Sequence, residues 1–231
     1  MEVAERTAAD KKGGHLARRQ RSGRLLLRET AQCPEADETH FQNIDRHRFF
    51  NTNNLWVRLD KLRAELDQHD SALPLPLITN SKTLDPRNPD STKVLQLESA
   101  MGAAIECFDH SAAVVVPRTR FAPVKTTSDL LVLRSDSCRV TDDHRLVLVE
   151  ERGGQPPLVD LDSKCYKLLQ DFEDYFRDAI PSLVRCDSLK IVGPVKFDKG
   201  VVCEGNVVFV NIGNEAKTVS TGHYRNQTVE L

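Results

Sequence analysis

"SLVRCDSLKIVGPVKFDKGVVCEGNVVFV" runs from Ser182 to Val210 and repeats every six residues. Leu183, Leu189, Val195, Val201 and Val207 form one register. Ile191, Phe197, Cys203 and Phe209 keep the same period, offset by two. Glycines at 193, 200 and 205 and Asn206 punctuate the pattern. An antiparallel meander alternates with period two and needs no spacing of six. A repeat of six predicts short strands wound around a prism, a parallel β-helix. Such a coil has open ends with unpaired backbone groups, so stacking into a homo-oligomer is expected.

Upstream of this tail the period changes. "RLLLRETAQC" (24–33) reads as a buried strand stopped by Pro34, and "PEADETHFQNIDRHR" as an acidic helical connector. Leu55, Leu59, Leu62 and Leu66, spaced four, three and four, predict one face of a helix. Thr52, Asn53 and Asn54 then fall at its N-terminus, where such side chains cap free amides. "LPLPLITNSKTLDPRNPDS" reads as strand plus loop, and "KVLQLESAMGAAIECF" puts Leu97, Met101, Ala104 and Phe108 on one helical stripe. "AAVVVPRTRFAPVK" is a β-branched strand broken at Pro117, and "TTSDLLVLRSD" a helix capped by Thr126 or Thr127. This alternation through residue 136 predicts an α/β sheet, with ligands at the loops that leave the carboxyl ends of its strands. Gly and Pro in "ERGGQPPL" mark a boundary, and "SKCYKLLQDFEDYF" reads as one amphipathic connecting helix. The expected divisions are 1–150, an α/β domain; 151–180, linker and connecting helix; and 181–231, the β-helix.

Composition excludes several classes. A net charge of −2 gives no basic footprint for nucleic acid. No apolar run approaches the roughly 20 residues that span a bilayer, and the first 21 residues lack the apolar core of a secretory signal. The six cysteines, at 33, 107, 138, 165, 186 and 203, show no C-x-x-C, and read as reduced, buried side chains of a cytoplasmic protein rather than a zinc site. The seven histidines have no metal spacing, and no Ser/His/Asp set stands out.

Four features carry candidate chemistry. In "PRTRFAPVKTTSDL", Arg118, Arg120 and Lys125 precede a helix start, whose free N–H groups and dipole favour an anion. That reads as a phosphate or pyrophosphate clamp, or as a solvated basic turn. Asn53 and Asn54 suit sugar hydroxyls because an amide both donates and accepts; double capping explains them equally. In "ADKKGGHL", Lys11-Lys12 precede Gly13-Gly14, which allow a ligand close to the backbone or make a plain hairpin turn. Glu29 emerges from an apolar strand, to accept from a sugar hydroxyl or to pair with Arg24 or Arg28. No G-x-x-x-x-G-K-[ST] or G-x-G-x-x-G loop occurs.

Taken in order, "ADKKGGHL", "RETAQCPE", "FFNTNNLWV", "LQLESAMGAAIECF", "VPRTRFAPVKTTSDLLVLRSD" and "SLKIVGPVKFDKGVVCEGNVVF" resemble the eukaryotic-type UTP–glucose-1-phosphate uridylyltransferases. The resemblance covers nearly the whole chain. It implies a partial nucleotidyltransferase (Rossmann-like) mixed sheet followed by a left-handed parallel β-helix. It also implies a Mg2+-dependent reaction of UTP with glucose-1-phosphate that yields UDP-glucose and pyrophosphate. On the same basis Lys125 matches a catalytic phosphate-contacting lysine, Asn53 a sugar-binding asparagine, and Glu29 a carboxylate near the sugar. The reading needs Lys125 and Asn53 to face one cleft. The family's Gly-rich nucleotide loop and its metal ligands have no counterpart here. The chain therefore reads as the C-terminal half, inactive alone, with Mg2+ ligands expected outside it. A pyrophosphorylase for another sugar, such as an N-acetylhexosamine, and a non-catalytic β-helix oligomerisation module are the competing readings.

Overall fold

Short apolar runs bounded by turn residues build the first sheet of the computed structural model, which describes residues 1–7, 10–11 and 13–231. Lys12 lies outside the described residues. The chain divides into two units, Met1–Phe121 and Ala122–Leu231. The strands described in the first unit are β1 (Glu2–Glu5), β2 (His15–Arg18), β3 (Leu25–Arg28), β4 (Phe49–Asn51), β5 (Leu77–Thr83), β6 (Lys93–Ser99) and β7 (Val114–Val115). Five of them form a sheet in the order β3-β2-β4-β1-β7. β2 pairs antiparallel with β3 and β4, β1 antiparallel with β4, and β7 parallel with β1. Val3 and Ala4 are fully buried, and Leu27, Phe50 and Ile105 nearly so. A 3-10 turn at Met101–Glu106 packs on β3. Gly102 makes this contact possible: a Cβ there would run into the Leu27 side chain and lie 2.8 Å from the Asn51 amide nitrogen.

Three sequence expectations change in this unit. The helix expected from Leu97 is instead the end of β6 followed by the 3-10 turn. Leu95 and Leu97 pair across a hairpin with Ser81 and Thr79 of β5, so the backbone of 93–99 bonds across strands. The acidic connector holds a single helical turn, α1 (Glu38–Phe41), after a 3-10 turn. The leucine-spaced helix is α2 (Leu59–Gln68), whose cap is Arg58, with no side-chain cap bond, and Leu55 lies outside it. The amides at 52–54 therefore do not cap it. β4, held by its pairing with β1, ends at Asn51, and the helix begins only at Leu59.

The second unit opens with α3 (Thr127–Arg134), capped as the sequence predicts: Thr126 accepts from the Asp129 N–H, and the Asp129 carboxylate accepts from Thr126 N–H at 2.8 Å. A hairpin of β8 (Cys138–Val140) and β9 (Leu146–Leu148) follows, then β10 (Leu158–Leu161). The expected single connecting helix is two, α4 (Ser163–Tyr166) and α5 (Leu169–Phe176), with Leu168 extended between them. The break lets Tyr166, Phe172 and Phe176 all reach zero exposure. The Tyr166 hydroxyl accepts the Val195 N–H at 2.8 Å and lies 3.0 Å from the Gly193 carbonyl, and burial raises its pKa.

The tail comprises β11 (Ser182–Val192), β12 (Val195–Phe197), β13 (Val201–Val210), β14 (Lys217–Val219) and β15 (Gly222–Glu230). A parallel sheet runs β10-β11-β13-β15, and β12 pairs in parallel with β14. Leu189 stands opposite Val207, and Ile191 opposite Phe209, each eighteen residues apart. Three six-residue repeats thus separate partners from Ser188 to Val192, while bulges widen the spacing to nineteen and twenty toward Ser182. Every member of both registers is at most 5% exposed, so the period read from the sequence is the buried face. All six cysteines are free. Only Cys186 and Cys203 are buried, each thiol pushed up to about 12 by desolvation; the other four are half-buried, which corrects the expectation for them. No helix among the described residues is long and apolar enough to cross a membrane.

Candidate functional site

Strand register brings two sequence-nominated positions, Gly14 and Glu29, to one end of the first sheet together with Asn51. His15 pairs with Arg28 of β3 and with Phe50 of β4. Gly14, Glu29 and Asn51, each one residue further on, therefore lie in a row across three neighbouring strands. Val3 pairs with Asn51, which adds Glu2 at the same end. Gly14 and Glu29 are closely apposed: a Cβ on Gly14 would collide with the Glu29 carboxylate and come 3.1 Å from the Arg28 carbonyl. Gly13 donates its N–H to the Asp10 carbonyl at 2.9 Å and closes the turn leading there.

Asn51, the last residue of β4, and the three residues after it form a polar turn. Asn51 accepts the Asn53 N–H at 2.9 Å and donates its amide to Asn53 Oδ1 at 3.0 Å. That doubly bonded turn holds Asn53 at φ 65°, a left-handed conformation that Asn tolerates. Thr52 is buried and donates its hydroxyl to the Glu2 carbonyl at 3.1 Å. The Asn53 Nδ2 makes no hydrogen bond among the described residues and Asn53 is exposed, so its donors are available to a ligand. Asn54 donates to Glu2 Oε2 at 3.3 Å and Trp56 Nε1 to Glu2 Oε1 at 2.9 Å. Glu2 itself is 4% exposed.

Beneath this end sits a buried basic cluster. The Arg6 guanidinium donates to the carbonyls of Lys11 at 2.6 Å, His47 at 3.2 Å, and Phe41 and Asp10 at 3.3 Å. It thereby fixes the segment that leads into Gly13-Gly14. His15 is fully buried, stacked on His47 with ring centroids 4.0 Å apart and tilted against Phe41 at 4.4 Å. Arg6 approaches His15 Nδ1 at 3.4 Å, which makes Nδ1 the acceptor and leaves the Nε2 proton without a partner. Burial first, then the positive charges of His47, Arg6 and Arg28, push the His15 pKa down to about 3. The imidazole stays neutral and acts as packing.

The basic loop divides between the units. In the first, Arg118 forms an ion pair with Asp10 at 3.1 Å and lies over the Phe50 ring at 5.1 Å, while Arg120 reaches Glu2 at 3.5 Å. In the second, Lys125 is exposed, one residue before the cap of α3, and its backbone N–H joins the capping box through Asp129 Oδ2 at 2.9 Å. Its ammonium has no ion-pair partner among the described residues. Sequence reasoning missed Asn51, Glu2, Trp56 and Arg6. Asn51 was legible as the first amide of the run. Glu2 and Arg6 lie in "MEVAER", where nothing local marks a buried charge.

Comparison with known proteins gives concordant matches. The family model for UTP–glucose-1-phosphate uridylyltransferase matches residues 1–204. The uridylyltransferase of that name from Musa acuminata is 42% identical over 207 residues, 90% of this chain and 42% of its own. The crystal structure of a UDP-glucose phosphorylase from Trypanosoma brucei is 52% identical, with a TM-score of 0.91 over the whole of this chain and 50% of that one. A mutant UDP-glucose pyrophosphorylase from Leishmania major, in complex with UDP-glucose, is 47% identical, with a TM-score of 0.85 over the whole of this chain and 51% of that one. The chain thus spans about half the length of the relatives it matches.

Proposed function

We propose that this chain, which belongs to the UTP–glucose-1-phosphate uridylyltransferase family, carries the sugar-phosphate side of a nucleotidyltransferase. The observation that supports this most directly is the shared sheet end of Gly14, Glu29 and Asn51, with the free amide of Asn53 beside it. Amide and carboxylate together supply the donors and acceptor that a hexose needs. In the reaction, a phosphate oxygen of glucose-1-phosphate attacks the α-phosphorus of UTP. The bond to the β,γ-phosphates breaks, and pyrophosphate leaves as UDP-glucose forms. Such transfers are accelerated chiefly by positioning and by neutralising charge. The exposed ammonium of Lys125, at the start of α3, is suited to the second task. Arg118 and Arg120 would act by shaping the loop, since both engage carboxylates.

Among the described residues no group of three or more His, Cys, Asp or Glu is arranged to hold a metal. For the tail we propose the left-handed β-helix, supported by parallel pairing throughout and by the eighteen-residue spacing of Ser188–Val192 from 206–210. The outer edge of β15, which among the described strands pairs with β13 alone, supports end-to-end association. Light scattering tests that association, and a strictly monomeric chain removes it.

The functional test is a chimera in which this chain replaces the corresponding half of the Trypanosoma brucei relative, assayed for UDP-glucose formation. Turnover by the chimera, at least tenfold lower in Asn53→Ala and Lys125→Ala, supports the assignment. The 231 residues alone are expected to show no turnover, and robust activity from them overturns the half-site reading. Preference for an N-acetylhexosamine-1-phosphate would move the assignment to that sugar.

A further inference from the structure

Trp56 is the only tryptophan and is 77% exposed, yet it is not loose. Its indole N–H is held at 2.9 Å by Glu2 Oε1, and the other oxygen of that carboxylate takes the Asn54 amide at 3.3 Å. Glu2 is buried on β1 beside β4, so its position is set by the sheet. The same carboxylate also pairs with Arg120 at 3.5 Å, but the indole it ties down stays exposed and adds little to the core. It does pre-organise a flat apolar surface three residues from the free amide of Asn53.

We propose that Trp56 is the platform on which the pyranose ring of the sugar phosphate stacks, and that it discriminates among hexoses. This rests on the sugar-phosphate reading above and deepens it. The indole face carries a negative quadrupole that attracts the weakly positive C–H bonds of a sugar. In the α-1-phosphate of glucose the phosphate is axial on one face of the chair. The opposite face presents only the axial hydrogens of C2 and C4 and is flat. An axial hydroxyl at C4, as in galactose, or at C2, as in mannose, projects from that same face and lifts the ring off an aromatic surface. The platform thus favours the all-equatorial hexose.

The single tryptophan makes the test direct on the chain as it stands. Glucose-1-phosphate, galactose-1-phosphate and mannose-1-phosphate are titrated while Trp emission and binding heat are followed in parallel. The expected result is a saturable change in emission with the calorimetric midpoint for glucose-1-phosphate, and binding about fivefold or more weaker for the two axial isomers. Trp56→Phe, followed by calorimetry, should keep most of the affinity, and Trp56→Ala should lose about fivefold. Binding heat with unchanged emission, or equal affinity for the three sugars, overturns the platform and leaves the sugar-phosphate reading intact. Neither heat nor emission change with any of the three overturns both.

Discussion

His15 offers the sharpest test of the architecture beneath the sugar end. In the folded chain its pKa is pushed from 6.5 down to about 3 by burial and by His47, Arg6 and Arg28. Unfolded, the imidazole titrates near 6.5. Below that pH the unfolded chain takes up a proton that the folded chain refuses, so stability present above pH 6.5 is lost as pH falls toward 3. Each pH unit in the window costs about 1.4 kcal/mol, so the loss between pH 7 and pH 4.5 is about 2–3 kcal/mol. Urea unfolding followed by Trp56 emission reports the first unit alone, because no other tryptophan exists. His15→Gln removes the titrating group while the carboxylates common to both proteins still contribute. The difference in stability between the two pH values should shrink by about 2–3 kcal/mol in the variant. An equal pH-dependent loss in both proteins would refute the reasoning, since it would mean that the buried ring accepts a proton as readily as a free one.

Other consequences follow from single contacts. Thr126→Ala breaks the capping box of α3 and should cost the second unit about 1 kcal/mol, read from tyrosine emission because all three tyrosines lie in that unit. Tyr166→Phe removes the hydroxyl that accepts the Val195 N–H and should cost about 1–3 kcal/mol in the same assay, for a buried donor left unmatched. In Gly14→Ala the new methyl displaces the Glu29 carboxylate; calorimetry should show weakened glucose-1-phosphate binding, while Trp-monitored unfolding shifts little.

What the sequence made legible was periodic or local. The six-residue spacing of Leu183 to Val207 is a property of one strand system and survives as its buried face. The Thr126–Asp129 cap is a four-residue motif and needs no distant partner. The misread segments are those whose partners lie far along the chain. "KVLQLES" suits a helix stripe and a strand alternation alike, and the choice falls to pairing with residues 77–83. Thr52, Asn53 and Asn54 look like a helix cap until β4 is seen to pair with β1, about fifty residues earlier. Glu29 and Gly14 could be nominated singly, but their apposition depends on the register that His15 sets. Glu2 and Arg6 were invisible because burial of a charge is decided by tertiary contacts alone.

The eighteen-residue stagger of Ser188–Val192 against 206–210 also bears on how such a tail changes length over evolutionary time. In the proposed β-helix each rung rests chiefly on the rung beside it, so gain or loss of a whole turn would leave the remaining contacts in phase. A single-residue insertion within β13 would instead rotate its inward side chains to the outside and carry Val207 and Phe209 into water. Indels in this segment should therefore be quantised by the turn, or else confined to corners such as 211–216.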